Sequence, residues 1–190
     1  MLICDKPPFA VVLPHKTGTK SLRLMLAARF PVLITDPFNE IPAEYKNYSE
    51  GPVICTIRNP YSRVSSWWNY IRRQENIPAN PTARHLEAYS DANRLGFVRF
   101  LCEDKNRPLP VSELLGGLPV THWVRTENFV QDVRNLPLPG MKQAKVLHAH
   151  NGGMSDWRSI FKDHPEMISW ARDTYVDDFV MGNYSTEFPW

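Results

Sequence analysis

Apolar residues recur along this chain in two rhythms. Phe9 to Leu13 is an unbroken apolar run that stops at Pro14 and a glycine-containing loop, which predicts a buried strand. From Lys20 to Phe30 the spacing becomes helical, with Leu22, Met25 and Leu26 on one face and Ala27 and Ala28 favouring the helix. Val32 to Thr35 predicts a second strand, and Asp36 to Gly51 is polar, proline-containing and irregular. Pro52 to Ile57 (PVICTI) is a further β-rich run, halted at once by Arg58-Asn59-Pro60. Tyr61 to Arg73 reads as a helix whose apolar stripe is Val64, Trp67, Trp68 and Ile71.

The second half is less regular. Glu75 to Tyr89 carries two prolines among polar residues and reads as an irregular excursion. Ser90 is placed to cap a helix from Asp91 to Glu103. Val120 to Val124 predicts a later strand, followed by a short helix near Glu127 to Arg134. Pro137 to Gly153 is loop-rich, and one last helix from near Pro165 carries Ile168, Ala171, Tyr175 and Phe179. Strands alternating with helices predict an α/β fold: a central, mainly parallel sheet flanked by helices on both faces. At 190 residues, with no internal repeat, one domain spanning 1–190 is the expectation.

Composition narrows the function. A hydrophobic fraction of 43% argues for a packed globule. The net charge of +2 provides no global field for nucleic acid or an anionic membrane, so any anion site must be local. No run approaches the roughly 18 apolar residues of a membrane span, and the N-terminus lacks a signal pattern, so a cytoplasmic protein is expected. Cys4, Cys55 and Cys102 form no CxxC pair and have no histidine at zinc-like spacing. Cys55 and Cys102 lie in apolar stretches and are expected in the core.

Two loops carry the chemistry. PHKTGTKSL, Pro14 to Leu22, sits where a predicted strand gives way to a helix. A nucleoside-triphosphate loop places glycine directly before its lysine, whereas here Thr19 separates Gly18 from Lys20. The first turn of a helix leaves backbone N–H groups unpaired and carries partial positive charge. Gly18 lets the backbone wrap an anion, Lys16 and Lys20 add charge, and Thr17, Thr19 and Ser21 add hydroxyls. The second loop, RNPYSRVSSWW, puts Arg58 at a strand's carboxyl end and Ser66 eight residues later. An arginine fork suits phosphate oxygens, and ligands of open α/β sheets bind at the carboxyl ends of strands. Two such loops side by side suit a nucleoside bearing two separate phosphate groups.

PHKTGTKSL resembles the 5′-phosphosulfate loop of the sulfotransferases, typically P-K-T-G-T-T-S-L, and RNPYSRVSS resembles their 3′-phosphate loop, R-[ND]-P-x-x-R-x-x-S. YVDDFVMGNY, at 175–184, and VRTENF, at 124–129, resemble segments of the carbohydrate-type, membrane-associated branch. The resemblance implies a P-loop-type three-layer fold and a donor substrate, 3′-phosphoadenosine 5′-phosphosulfate (PAPS). It further implies direct in-line transfer of a sulfuryl group to a hydroxyl of a small-molecule or glycan acceptor, with no metal required. Lys16 would stabilise the bridging oxygen, and Thr17, Gly18, Thr19, Lys20 and Ser21 would cradle the 5′-phosphate. Arg58 and Ser66 would hold the 3′-phosphate, while Arg63 fits the pattern but equally suits a structural ion pair. His15 stands where relatives have proline next to the basic residue; it joins the donor-binding set by position, as an outward loop residue or a catalytic imidazole. Lys20 replaces a hydroxyl residue and adds charge.

A base must take the acceptor's proton. The segment DPFNEIPAEY supplies Asp36, Glu40 and Glu44 in the window the family uses, with Glu40 first choice and Glu44 second; His15 and His85 are the other candidates. Of Trp67 and Trp68, one is expected in the core and the other partly exposed. His148 and His150 belong to a loop expected near the donor, Arg72 and Arg73 to a solvated helix end, and Glu127 and Asp178 to structural hydrogen bonding. A P-loop nucleotide kinase is the first alternative, and it would need the Gly-Lys step and an aspartate for Mg²⁺. A non-catalytic nucleotide-binding module is the second. The oligomeric state leaves no mark on the sequence.

Overall fold

The computed structural model describes residues 1–34, 41–73, 83–146 and 156–189. In chain order the elements are β1 (Leu2–Asp5), β2 (Pro8–Val12), α1 (Thr19–Ala27), β3 (Leu33–Ile34), β4 (Val53–Ile57), α2 (Pro60–Ile71) and α3 (Ala83–Arg94). They continue with α4 (Phe97–Cys102), α5 (Val111–Leu115), β5 (His122–Arg125), α6 (Phe129–Arg134), α7 (Trp157–Asp163), α8 (Glu166–Thr174) and α9 (Val176–Gly182). The protein is thus α/β, with a five-stranded sheet ordered β3-β1-β2-β4-β5.

The sheet is mixed. β2, β4 and β5 are parallel neighbours, whereas β1 runs antiparallel to both β2 and β3. β1 was not legible as a strand, because its four residues precede a Lys6-Pro7-Pro8 turn and show too little pattern to count. Residues alternate across the sheet with period two. Leu2, Cys4, Phe9, Val11, Ile54 and Val124 face one layer, built on Leu22, Met25 and Leu26 of α1 and Phe129 and Val133 of α6. Ile3, Ala10, Val12, Val53, Cys55 and Ile57 face the other, against Val111 and Leu115 of α5. A separate helical core gathers around Tyr61, whose ring meets Phe161, Phe179 and Phe188 edge-on. Burying each such large apolar side chain contributes on the order of 1.5–3 kcal/mol.

Several expectations need correction. The single helix from Asp91 to Glu103 is two helices, α3 and α4, separated at Gly96, whose extended backbone (φ −71°, ψ 167°) cannot continue a helix. Residues 83–89, expected to be irregular, form the first half of α3. α5 is too short to show periodicity, the predicted helix from near Pro165 is two, α8 and α9 meeting at Tyr175 (φ −117°), and α7 precedes it as a helix of its own. Cys102 is exposed rather than in the core, whereas Cys55 is buried. Trp67 and Trp68 are both buried: Trp67 Nε1 donates to the Asn106 carbonyl at 2.7 Å, and Trp68 packs on Phe97 and Phe100. Among the described residues no helix is long and apolar enough to cross a membrane.

Candidate functional site

Because β2 and β4 are adjacent and parallel, the loops leaving their carboxyl ends open at the same edge of the sheet. The first loop closes on itself, since the Pro14 carbonyl accepts from both Thr17 Oγ1 and Thr19 Oγ1, each at 2.7 Å. Having donated to Pro14, Thr17 Oγ1 accepts from Thr56 Oγ1 of β4 at 2.6 Å. Its hydroxyl is therefore fully buried and turned away from the loop's open side. The hydroxyls of Thr17 and Thr19, expected to help cradle a phosphate, are spent on holding the loop. Gly18 caps α1 with φ 79°, in the left-handed region that favours glycine. The first turn of α1 holds no acidic residue that would occupy its positive end.

Lys16 also has a positive φ, 65°, which is uncommon for a residue with a side chain. Two arginines fix the loop there. Arg58 Nη1 donates to the Lys16 carbonyl at 3.4 Å, and Arg63 Nε donates to the His15 carbonyl at 3.1 Å. The second loop places both. Asn59 caps α2 by accepting from the backbone N–H of Tyr61 and Ser62, with Pro60 as the first helical residue. Arg58 Nε then donates to Ser62 Oγ at 2.7 Å. A third strand end reaches in: Glu127, just past β5, accepts from Asn59 N at 3.0 Å and from the Tyr184 hydroxyl at 2.7 Å.

The two arginines differ in how their charge is met. Arg63 is buried against Asp178 at 3.2 Å, and its Nη2 donates to the Leu109 carbonyl at 2.7 Å. Asp178 also accepts from the backbone N–H of Val111 and Ser112 at the start of α5. That settles Arg63 as a structural ion pair, with Asp178 and Glu127 in the hydrogen-bonding roles expected of them. Among the described residues neither Lys16 nor Arg58 has a carboxylate within ion-pair distance. Burial, then the nearby Arg58 and Arg73 charges, lower the Lys16 pKa to about 8. Burial also lowers the Arg58 pKa, against a smaller opposing pull from Glu127 and Tyr184. Desolvated cations held close together at the positive end of a helix suit a multiply charged anion.

Not every expected residue joins this cluster. Ser66 is half-buried on α2, one turn beyond Ser62, and Ser62 is the hydroxyl that engages Arg58. Lys20 and Ser21 lie in the first turn of α1. Asp36, Glu40, His148 and His150 lie outside the described residues, as do the side chains of Glu44, in the 3-10 turn Ala43–Tyr45, and of His85, on α3. Ser62 and Tyr70, whose ring lies beneath the Lys16 ammonium, were not foreseen. The signal for both is the four-residue spacing 62, 66, 70, which lines one face of the helix that follows Arg58. No protein-family model, curated protein or solved structure matches the chain.

Proposed function

We propose that this protein is a sulfotransferase with a P-loop-type three-layer fold, moving a sulfuryl group from PAPS to a hydroxyl, most simply on a carbohydrate-type acceptor. The observation that carries this reading is the pairing of Lys16 and Arg58, two half-buried cations without a carboxylate partner among the described residues, on loops leaving adjacent parallel strands. A donor with anionic groups at its 5′ and 3′ positions matches two such seats. The 5′-phosphosulfate would lie at the start of α1 against the backbone of residues 17–20, and the 3′-phosphate at Arg58.

In the reaction the acceptor oxygen attacks sulfur in line, and the bond from sulfur to the bridging oxygen breaks. Negative charge grows on the leaving phosphate, where the Lys16 ammonium stabilises it. The acceptor's proton goes to a base, with Glu40 first and Glu44 second in our assignment, and 3′-phosphoadenosine 5′-phosphate leaves. The chemistry needs no metal ion.

The test has two arms. Thermal unfolding with 3′-phosphoadenosine 5′-phosphate alone should raise Tm, and ATP with Mg²⁺ should not. Labelled PAPS with a panel of hydroxyl acceptors should then give a product heavier by one sulfuryl group in mass spectrometry. Stabilisation by ATP with Mg²⁺ and none by 3′-phosphoadenosine 5′-phosphate would replace this reading with the kinase. Donor binding without transfer to any acceptor would leave a binding module.

A further inference from the structure

Residues 15 and 16 rest on two aromatic rings of α2. The His15 ring lies 5.7 Å from that of Trp67, tilted by 39°, and the Lys16 Nζ stands 4.2 Å from the centre of the Tyr70 ring. Trp67 and Tyr70 are three positions apart, so they fall on one helical face, and their rings stack 6.0 Å apart at 25°. The rings form a continuous shelf, with consecutive loop residues seated on its two halves.

The backbone of the same two residues is held by arginines. Arg63 and Arg58 grip the carbonyls of His15 and Lys16, and the positive φ of Lys16 is tolerated because these contacts over-determine it. With the backbone fixed by arginines and the ammonium seated on a ring, the side chain is located at both ends. A cation over an aromatic face is attracted by the ring quadrupole, and more so when desolvated. Desolvation is the main cause of the lowered Lys16 pKa, with the Arg58 and Arg73 charges adding to it.

We propose that Tyr70 is a positioning residue for Lys16: its ring face holds the ammonium charged and oriented at the anion site, so that the donor meets a preset cation. The functional half of this statement rests on the sulfotransferase reading; the seating of Lys16 in the ligand-free protein does not. Two properties of Tyr70 can be separated. Its ring faces Lys16, while its hydroxyl is hydrogen-bonded to Tyr89. Tyr70→Phe keeps the first and removes the second, and Tyr70→Leu removes the ring while keeping the site apolar. The shelf also gives His15 a place: it packs on Trp67 as an anchor for the residue that follows it.

The experiment follows the titration of Lys16 in the full-length protein by pH-dependent reductive methylation read by mass spectrometry. Y70F should titrate as wild type, whereas Y70L should lower the Lys16 pKa by about half a unit to one unit, because the charged form loses its ring. Isothermal titration with 3′-phosphoadenosine 5′-phosphate should show Y70F unchanged and Y70L about 3- to 10-fold weaker. Should Y70L fail to fold, Tyr70→Met supplies the same comparison. An unshifted Lys16 in Y70L or Y70M overturns the proposal, and so does an equal shift in Y70F, which would assign the effect to the hydroxyl. If wild type binds no 3′-phosphoadenosine 5′-phosphate, the sulfotransferase reading falls, while the Lys16 titration still decides whether Tyr70 seats the ammonium.

Discussion

Arg58 and Arg63 are five residues apart, at and just past the amino end of one helix, yet they carry their charge in opposite ways. Arg63 points toward α5 and α9, where Asp178 and the Leu109 carbonyl meet its guanidinium. Arg58 points toward the strand ends, where its described partners are a serine hydroxyl and a backbone carbonyl, both neutral. The first arrangement is closed and the second is open. A closed buried cation contributes to keeping helices in place. An open one costs desolvation without an opposing charge, a cost that an incoming anion removes. The contrast separates a charge met by a carboxylate within the protein from one met by neutral groups.

The largest effect should come from opening the closed side. Asp178→Ala leaves Arg63 buried and unpaired and strips two backbone N–H groups at α5 of their acceptor, so urea unfolding should show a loss of about 3–5 kcal/mol. Arg58→Ala, on the open side, should change stability far less. Comparable losses for the two variants would break the distinction. Next comes Lys16→Met, which should cut sulfuryl transfer from PAPS by about 100-fold or more, as for loss of one preorganised charge-stabilising group. A variant that folds as wild type and turns over within a few-fold of it would remove Lys16 from the chemistry.

The smallest effect is a pH dependence. The Lys16 pKa falls from 10.5 in the unfolded chain to about 8 in the folded one. Below about pH 8 both states hold the proton and the folded state bears the full penalty; between about pH 8 and 10.5 the unfolded state binds more protons, so stability from this group rises with pH. Anion binding runs the other way, weakening as pH climbs past about 8 and the ammonium is lost. Urea midpoints and binding constants across this window, compared with Lys16→Met, should therefore slope in opposite directions, and parallel slopes would reject Lys16 as the titrating group.

The parts of the fold and site that were legible are those written locally. The strand-loop-helix passages at 9–27 and 53–71 could be read because apolar runs, Gly18, Asn59 and Pro60 act within a few residues of themselves. What was missed depends on distant partners. The direction of the Thr17 hydroxyl is set by Thr56, 39 residues away, and the pairing of Arg63 by Asp178, 115 residues away. β1 becomes a strand because β2 and β3 flank it, not because its own sequence demands it. Cys102 sits in an apolar stretch but falls on the outer side of α4, a matter of helical phase that Gly96 reset.

The hydroxyl contact between Thr17 and Thr56 has a consequence of its own. Thr56 belongs to the strand that delivers Arg58 two residues later, and Thr17 adjoins Lys16, so this 2.6 Å contact pins together the footings of both cations. The spacing of Lys16 and Arg58 is then a property of the sheet rather than of loop fluctuations. If the proposed donor binds there, such a pair would work as a gauge, selecting ligands by the interval between their charges before anything else about them.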